Sequence, residues 1–283
     1  MFNNLTVIQI NVLLASIIGD GELTKLYKGS RRKNSSYREH FGDRQREYRE
    51  WKAQLMNDLF YITHKSNSLR SASNPLFTNL LGLFYNNDGN KSIPATLLPY
   101  CNLSHFLAVL YMDDGSLSIT AKVNHNNNKI YITPHIYLYL QNYPSLELTL
   151  LKNHIKKYFQ IDLKLASRKD GHGFILRTTS VNETFSFLNK IRNVSDSCPS
   201  MFYKTNWNYR LQQESEKWKL KLPDYKLVVS SSDRWKNYSS YEIKRLVVLK
   251  KEGHLDKEIA NLLGRSYWSV VYKLRELRKL QLL

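Results

Sequence analysis

The chain has 283 residues, of which 42% are hydrophobic, so its composition excludes a disordered chain. Its formal net charge of +18 favours a polyanionic partner, nucleic acid before an anionic membrane surface, because neutralised phosphates release condensed counterions. Two cysteines in no metal-ligand spacing exclude a four-cysteine zinc site and indicate a reducing intracellular compartment, and no apolar run approaches the roughly 18 residues of a membrane span.

Two segments, one near the start of the chain and one near its middle, are alike. Leu13–Gly21 and Leu107–Gly115 are both apolar, helix-like stretches that end in an acid followed by glycine. Each is followed by a predicted hairpin, the first with a basic tip at Lys28–Lys33 and the second with a polar tip at Asn124–Asn128. The matching positions indicate an internal duplication.

The elements after each hairpin are also repeated. In the first half, periodicity predicts a helix over 44–60, two weak strands within 61–71 and a helix over 75–85. In the second half it predicts a helix over 146–159, strands over 161–167 and 174–178, and a helix over 180–191. Each half therefore has the order αββαββα, and the halves span 1–100 and 101–211. Two pseudo-symmetric repeats of this kind predict an α+β fold.

The rest of the chain has a different character. Residues 212–236 are polar and basic and are predicted to be a linker. In 237–283, a capping box at Ser239–Glu242 begins one helix, Asp256–Leu263 forms a short second helix, and Ser266 caps a third. This order predicts a helix-turn-helix DNA-binding domain, with a protein-binding module as the alternative.

The repeated segments resemble the paired motifs of the LAGLIDADG homing endonucleases, in the two-repeat monomeric form found in mitochondrial introns of yeast and other fungi. The resemblance lies in Tyr111–Gly115 of the second motif, in Lys91–Pro94 before it, and in Met201–Lys204. It covers about residues 5–206 and leaves the helix-turn-helix unit outside. It implies a monomer whose two repeats form a saddle on double-stranded DNA and make a site-specific double-strand break at a long target.

The resemblance also implies a metal-dependent active site with one acid from each repeat. When Gly21 is aligned with Gly115, Asp20 pairs with Asp114. Two carboxylates suit Mg²⁺, for which Mn²⁺ can substitute, because hard cations prefer oxygen ligands.

Further groups at this site follow from their position next to the acids. The backbone carbonyls of Gly19 and Asp113 are expected to be free at helix ends and are candidate metal ligands. The Asp113 side chain is given a local supporting role. By resemblance, Lys91 and Lys204 lie near the scissile phosphates, where a cation stabilises charge or orients water.

The predicted DNA contacts lie on the hairpins and on the last helix, because a two-stranded ribbon or a helix fits the major groove. The first-repeat candidates are Lys25, Lys28, Arg31, Arg32, Lys33 and Arg38. The second-repeat candidates are Lys122, Asn124, Lys129, Lys164, Arg168 and Lys169. The candidates of the helix-turn-helix unit are Arg265, Ser266, Tyr267, Ser269, Tyr272 and Lys273.

Two other functions remain open at this point. An intron-RNA maturase would bind the host intron, and a non-catalytic regulator would bind DNA without cutting it. The intact pair of acids favours a nuclease. Richness in Asn, Lys and Tyr is typical of an AT-rich genome and favours a mitochondrial location, with another reducing intracellular compartment as the alternative.

Overall fold

The computed structural model describes residues 1–168, 170–230 and 238–283. The chain divides into two compact units, Met1–Ser231 and Ser232–Leu283. The first unit contains both predicted repeats, and the second contains the predicted helix-turn-helix. Within the described ranges, no helix is both long and apolar enough to cross a membrane.

The first repeat has the predicted order αββαββα. Its helix α1 (Val7–Ile18) begins with a capping box, in which the side chains of Thr6 and Gln9 each accept a hydrogen bond from the other residue's backbone amide. The other elements are β1 (Glu22–Thr24), β2 (Ser36–His40), α2 (Arg46–Met56), β3 (Tyr61–Thr63), β4 (Ser68–Arg70) and α3 (Pro75–Phe84). Helix α2 is shorter than predicted, because 3-10 turns at 43–45 and 57–59 flank it and Asn57 has a positive φ of 51°.

The second repeat has the same order with a longer hairpin. Its elements are α4 (Ser104–Asp114), β5 (Gly115–Asn124), β6 (Lys129–Leu138), α5 (Ser145–Phe159), β7 (Lys164–Ser167), β8 (Phe174–Arg177) and α6 (Val181–Ser195). Strands β5 and β6 pair along their full length, from Gly115 with Leu138 to Asn124 with Lys129. Strands β1 and β2 pair only over Glu22–Thr24, so a loop over 25–35 takes the place of a hairpin tip.

The two sheets share one topology. Their strand orders are β1-β2-β4-β3 and β5-β6-β8-β7, and neighbouring strands on these paths are antiparallel. An identical order in both halves is what an internal duplication produces. The predicted α+β fold with two pseudo-symmetric repeats is therefore confirmed.

Helices α1 and α4 form the centre of the first unit and pack against each other. Every residue of Ile10–Ile18 is buried, and so is every residue of Phe106–Asp113. Helices buried to this extent need neighbours on all sides, and α1 and α4 cover one another where the two repeats meet. Both repeats therefore share one continuous hydrophobic core.

The segment predicted as a linker over 212–236 has regular structure in its described part. Helix α7 (Phe202–Thr205) is followed by α8 (Trp207–Lys221) and strand β9 (Lys226–Val229). Strand β9 pairs in parallel with Lys129–Ile132 of β6. Strand β6 pairs with β8 only at Tyr137 and Leu138, the last two residues of β6. The edge of β6 next to the hairpin turn therefore remains open to another strand. Residues 231–236 of the predicted linker lie outside the described residues.

The second unit contains the three predicted helices, α9 (Ser240–Lys251), α10 (Asp256–Leu262) and α11 (Tyr267–Lys279). Ser239 and Glu242 form the predicted capping box, and Gly253 and Gly264 follow α9 and α10 with positive φ values of 90° and 61°. The unit has a separate small core, made of Leu246, Ile259, Ala260, Val270, Leu274 and Leu277.

A core substitution in the second unit should unfold that unit selectively. Leu246→Ala should destabilise it by about 2–5 kcal/mol, because Leu246 is fully buried in a small core. Val248→Ala on the same helix is the control, since Val248 is 51% exposed. Hydrogen exchange followed by mass spectrometry should show faster exchange in 238–283 only in the Leu246 variant. Equal exchange in both variants would contradict the separate core.

Candidate active site and nucleic-acid interface

The C-terminal ends of α1 and α4 lie in close contact. A Cβ atom added to Gly19 would lie 2.7 Å from Asp113 Oδ2 and 2.8 Å from Asp113 Cβ, closer than real side chains approach. Gly19 therefore lets the two helix ends meet. The acids that follow, Asp20 and Asp114, lie close enough for the charge of Asp20 to raise the pKa of Asp114.

Two lysines bond the helix ends in matching positions. Lys91 Nζ donates to the carbonyl of Gly19 at 2.8 Å, and Lys204 Nζ donates to the carbonyls of Met112 at 2.7 Å and Asp113 at 3.2 Å. The expectation that the Gly19 and Asp113 carbonyls are free is therefore wrong. The physical reason is that a desolvated ammonium needs acceptors and a helix end offers them.

Burial lowers the pKa of Lys91 and Lys204, and nearby acids oppose that shift. For Lys91 the main opposing charge is Asp114, and for Lys204 it is Asp113. The acids of this site therefore favour the charged form of each lysine, against the effect of burial.

Asp114 is the least compensated acid of the site. Burial raises its pKa to about 8, with Asp20 and Asp113 adding to the rise and Lys91 and Lys204 opposing it. In the described part of the chain, its carboxylate has neither a hydrogen bond nor an ion pair. A partly buried carboxylate of this kind is suited to an added cation.

Asp20 forms an ion pair with a buried arginine of its own repeat. Arg49 on α2 donates from Nη2 to Asp20 Oδ2 at 2.6 Å, and its side chain is fully buried. Among the described residues, the other oxygen of Asp20 has no partner. The carboxylate is thus fixed by one oxygen and open at the other.

A buried ion-pair network lies behind these acids. Asp113 accepts from Tyr48 Oη at 2.7 Å, Lys52 Nζ at 2.9 Å and Arg49 Nη1 at 3.2 Å. Glu39 on β2 lies 3.0 Å from Lys52 and 2.6 Å from Arg49. Burial opposes ionisation of Asp113, yet Lys52 and Arg49 hold its pKa below the ordinary value. The Asp113 side chain thus belongs to a buried ion-pair network, and its predicted supporting role stays a prediction.

Asp20, Glu39 and Asp113 also have oxygens within 4.8 Å of one another, a spacing that could hold a metal ion. Arg49 and Lys52 already contact these acids, however, so two organic cations fill that role. Asp114 and the open oxygen of Asp20 are better suited to a divalent ion.

Four residues of this network, Glu39, Tyr48, Arg49 and Lys52, were not predicted from the sequence. One signal was available for Glu39. It lies two residues after Tyr37, and this spacing puts both side chains on the inward side of β2. Arg49 and Lys52 are one helical turn apart on α2, a spacing that is also typical of a solvent-exposed face. Their burial depends on Asp113 in the other repeat.

The outward face of the second sheet is a polar ladder. Burial alternates along β6, so every second side chain faces solvent. The cross-strand pairs on that face join Ser116, Ser118, Thr120, Lys122 and Asn124 of β5 to Tyr137, His135, Thr133, Tyr131 and Lys129 of β6. Three predicted contacts, Lys122, Asn124 and Lys129, belong to this ladder. Lys164 is exposed on β7, Arg168 pairs with Asp170 at 2.5 Å, and Lys169 lies outside the described residues.

The first-repeat candidates lie mostly in the loop over 25–35. Lys25, Lys28, Arg31, Arg32 and Lys33 are exposed there. Arg32 also donates to Ser36 Oγ at 2.9 Å. Arg38 lies on the outward face of β2, where it forms an ion pair with Glu22. The candidates of the first repeat are thus concentrated in a loop rather than along a strand ladder.

In the second unit, several predicted contacts take part in internal bonds. Arg265 pairs with Glu242 at 2.8 Å, and Lys273 pairs with Glu276 at 2.8 Å. Ser266 caps α11, and the Ser269 hydroxyl lies 3.3 Å from Tyr238 Oη. Of the six predicted residues, Tyr267 and Tyr272 have large exposed side chains.

Comparison with known proteins identifies the family. Residues 10–185 match the family model of the LAGLIDADG DNA endonuclease family. This match covers more than half of the chain, so the chain belongs to that family. No curated protein sequence matches the chain.

Several solved structures of DNA-bound nucleases match the chain. I-WcaI bound to its DNA recognition sequence is 21% identical, with 71% of this chain and 87% of that chain covered and a TM-score of 0.53. The meganuclease I-SmaMI bound to DNA is 10% identical, with 76% and 92% covered and a TM-score of 0.48. I-LtrWI bound to target DNA is 11% identical, with 88% and 99% covered and a TM-score of 0.42. The match to I-WcaI supports a shared fold.

Removing one cation from the buried network should destabilise the first unit. Lys52→Met should cost about 3–5 kcal/mol, because Glu39 and Asp113 would then share Arg49 alone. Lys156→Met is the control, since the Lys156 side chain is 62% exposed and its ion pair with Asp162 should contribute less than about 1 kcal/mol. Urea unfolding measures both. Equal midpoints for the two variants would show that the network contributes little.

Proposed function

We propose that this chain is a site-specific DNA endonuclease that makes a metal-dependent double-strand break at a long target, in the manner of intron homing. The observation that carries the proposal is the matching pair of lysines at the meeting ends of α1 and α4. Lys91 bonds the carbonyl before Asp20, and Lys204 bonds the carbonyl before Asp114. One acid and one lysine from each repeat suit two cuts, one in each strand.

The residues at this site fit a divalent metal, which we propose to be Mg²⁺ with Mn²⁺ as a substitute. Asp114 has a partly buried carboxylate with a raised pKa, and Asp20 has one oxygen without a partner among the described residues. Both offer the hard oxygen ligands that Mg²⁺ prefers. When bound, such an ion stabilises the charge of the leaving oxygen and makes water a better nucleophile.

The chain's own groups have separate tasks in this proposal. Arg49 holds the Asp20 carboxylate in one orientation. Beyond the hydrogen bonds to the helix ends, the ammonium of Lys91 has two further N–H groups and that of Lys204 has one, and these can donate to a phosphate oxygen. An ammonium fixed beside the scissile phosphate stabilises the charge that develops during cleavage.

The outward sheet faces provide the surface for double-stranded DNA. Hydroxyl, amide, imidazole and ammonium groups alternate along the β5–β6 ladder, and such groups contact base edges or phosphates in the major groove. The net charge of +18 supports binding to the backbone. Both repeats share one core, so a monomer provides both half-sites. The homing endonuclease I-WcaI was solved bound to its DNA recognition sequence, which supports the same class of partner for this chain.

Cleavage should require both acids and a divalent ion. The protein is incubated with Mg²⁺ or Mn²⁺ and DNA that contains the host locus without its intron, and the ends produced are sequenced. Wild type should yield one or a few recurrent breaks, while Asp20→Asn and Asp114→Asn should each slow cutting by about 1,000-fold or more.

Asp196→Asn is the matched control, because Asp196 is an exposed acid beyond the end of α6. DNA binding by gel shift should persist in all three variants. Wild-type cleavage rates in either acid variant would refute the proposed metal ligands.

The two lysines should serve different strands. Lys91→Met and Lys204→Met keep most of the side-chain stem and remove the ammonium, so each should accumulate a nicked intermediate, in opposite strands. Strand-specific end labels on a cloned target measure this. Lys190→Met, an exposed lysine on α6, should leave both cuts unchanged. Equal slowing of both strands by each variant would contradict one lysine per half-site.

A further inference from the structure

One face of α11 is an exposed stripe of two aromatic residues followed by two cations. Trp268, Tyr272, Arg275 and Lys279 are all exposed and follow one another at intervals of three or four residues. This spacing places them on one side of the helix, opposite the buried Val270, Leu274 and Leu277. These four residues are called the α11 stripe.

The aromatic rings of the stripe are large surfaces that the unit's core does not use. Trp268 is 62% exposed and Tyr272 is 64% exposed. Their ring centroids are 6.2 Å apart, and Tyr267 lies edge-on to Trp268 at 5.2 Å. Exposed aromatic clusters on a small unit mark binding surfaces.

The polar groups around the stripe leave little for reading base edges in a duplex. Two other cations close to the rings in sequence, Arg265 and Lys273, pair with Glu242 and Glu276. The Ser266 side chain caps the helix. The stripe itself presents two exposed aromatic side chains and two exposed cations. In a duplex the faces of the bases are covered by stacking, whereas an unpaired strand exposes them.

The charge of the unit identifies the class of partner. Residues 238–283 contain ten Lys and Arg residues against five Asp and Glu residues, a net charge of +5. Arg275 and Lys279 continue the aromatic line toward the C-terminal end of α11. Aromatic rings can stack on bases, and the cations that follow them can neutralise phosphates. This combination suits a polyanion whose bases have exposed faces.

We propose that the α11 stripe binds single-stranded nucleic acid. Unpaired bases stack on Trp268 and Tyr272, and Arg275 and Lys279 neutralise neighbouring phosphates. This site is independent of the proposed cleavage chemistry, since it contains none of the acids or lysines assigned to cutting. An RNA strand and a displaced DNA strand share this chemistry.

The test uses the full chain with EDTA present, so that its result does not depend on cleavage. Fluorescence anisotropy measures binding to four probes of about 20 units: unstructured DNA, unstructured RNA, an abasic strand and a DNA duplex. The Trp268→Ala/Tyr272→Ala variant should lose roughly tenfold or more affinity for the base-containing strands and little for the abasic strand. Tyr241→Ala, which removes an aromatic residue from α9 that is 69% exposed, should bind as wild type.

A second variant tests the cations separately. Arg275→Gln/Lys279→Gln should reduce the salt dependence for all single strands, by about one to two units of slope. A comparable loss on the duplex with the double-alanine variant would mean that the stripe contacts duplex DNA, and would overturn the proposal. Unchanged binding to every probe would do the same. Higher affinity for the RNA strand than for the DNA strand, or the reverse, identifies which of the two is the natural partner.

Discussion

The fold and the site both depend on charge compensation where α1 and α4 meet. The ends of these two largely buried helices carry three acids, a fourth acid lies nearby on β2, and four bases surround them. The acids are Asp20, Glu39, Asp113 and Asp114, and the bases are Arg49, Lys52, Lys91 and Lys204. An uncompensated buried charge costs several kcal/mol, so Arg49 and Lys52 stabilise this packing by pairing with the buried carboxylates of Glu39 and Asp113.

The compensation crosses between the repeats. Arg49 and Lys52 belong to the first repeat, yet both contact Asp113 of the second. Separation of the repeats would leave Asp113 without its cations, which favours a single chain with a shared core. Lys91 and Lys204 thus occupy matching positions in the two repeats, whereas Arg49 and Lys52 have no counterpart among the described contacts of the second repeat. As a result, Asp20 is held by an arginine, while Asp114 has no side-chain partner in the described residues.

More of the fold than of the site could be predicted from the sequence. Periodicity and helix caps predict the order αββαββα twice, and the alignment of Gly21 with Gly115 places the two acids together. The network around Asp113 could not be predicted, because its cations lie far away in sequence and have a spacing typical of a solvent-exposed helix face. Strand β9 was missed because Lys226–Val229 is short, and its pairing depends on an open edge of the distant β6.

The two repeats therefore present different surfaces to a duplex under the proposed function. The β5–β6 ladder is paired along its full length, and β9 supports its tip, where Tyr225 Oη lies 2.9 Å from His125 Nδ1. Such a ladder holds its donors and acceptors at fixed spacing, as the recognition of base edges requires. The first repeat instead has a basic loop over 25–35, whose charges attract phosphates whatever the sequence. Paired strands favour sequence readout in the second repeat, and loop charge favours backbone anchoring in the first.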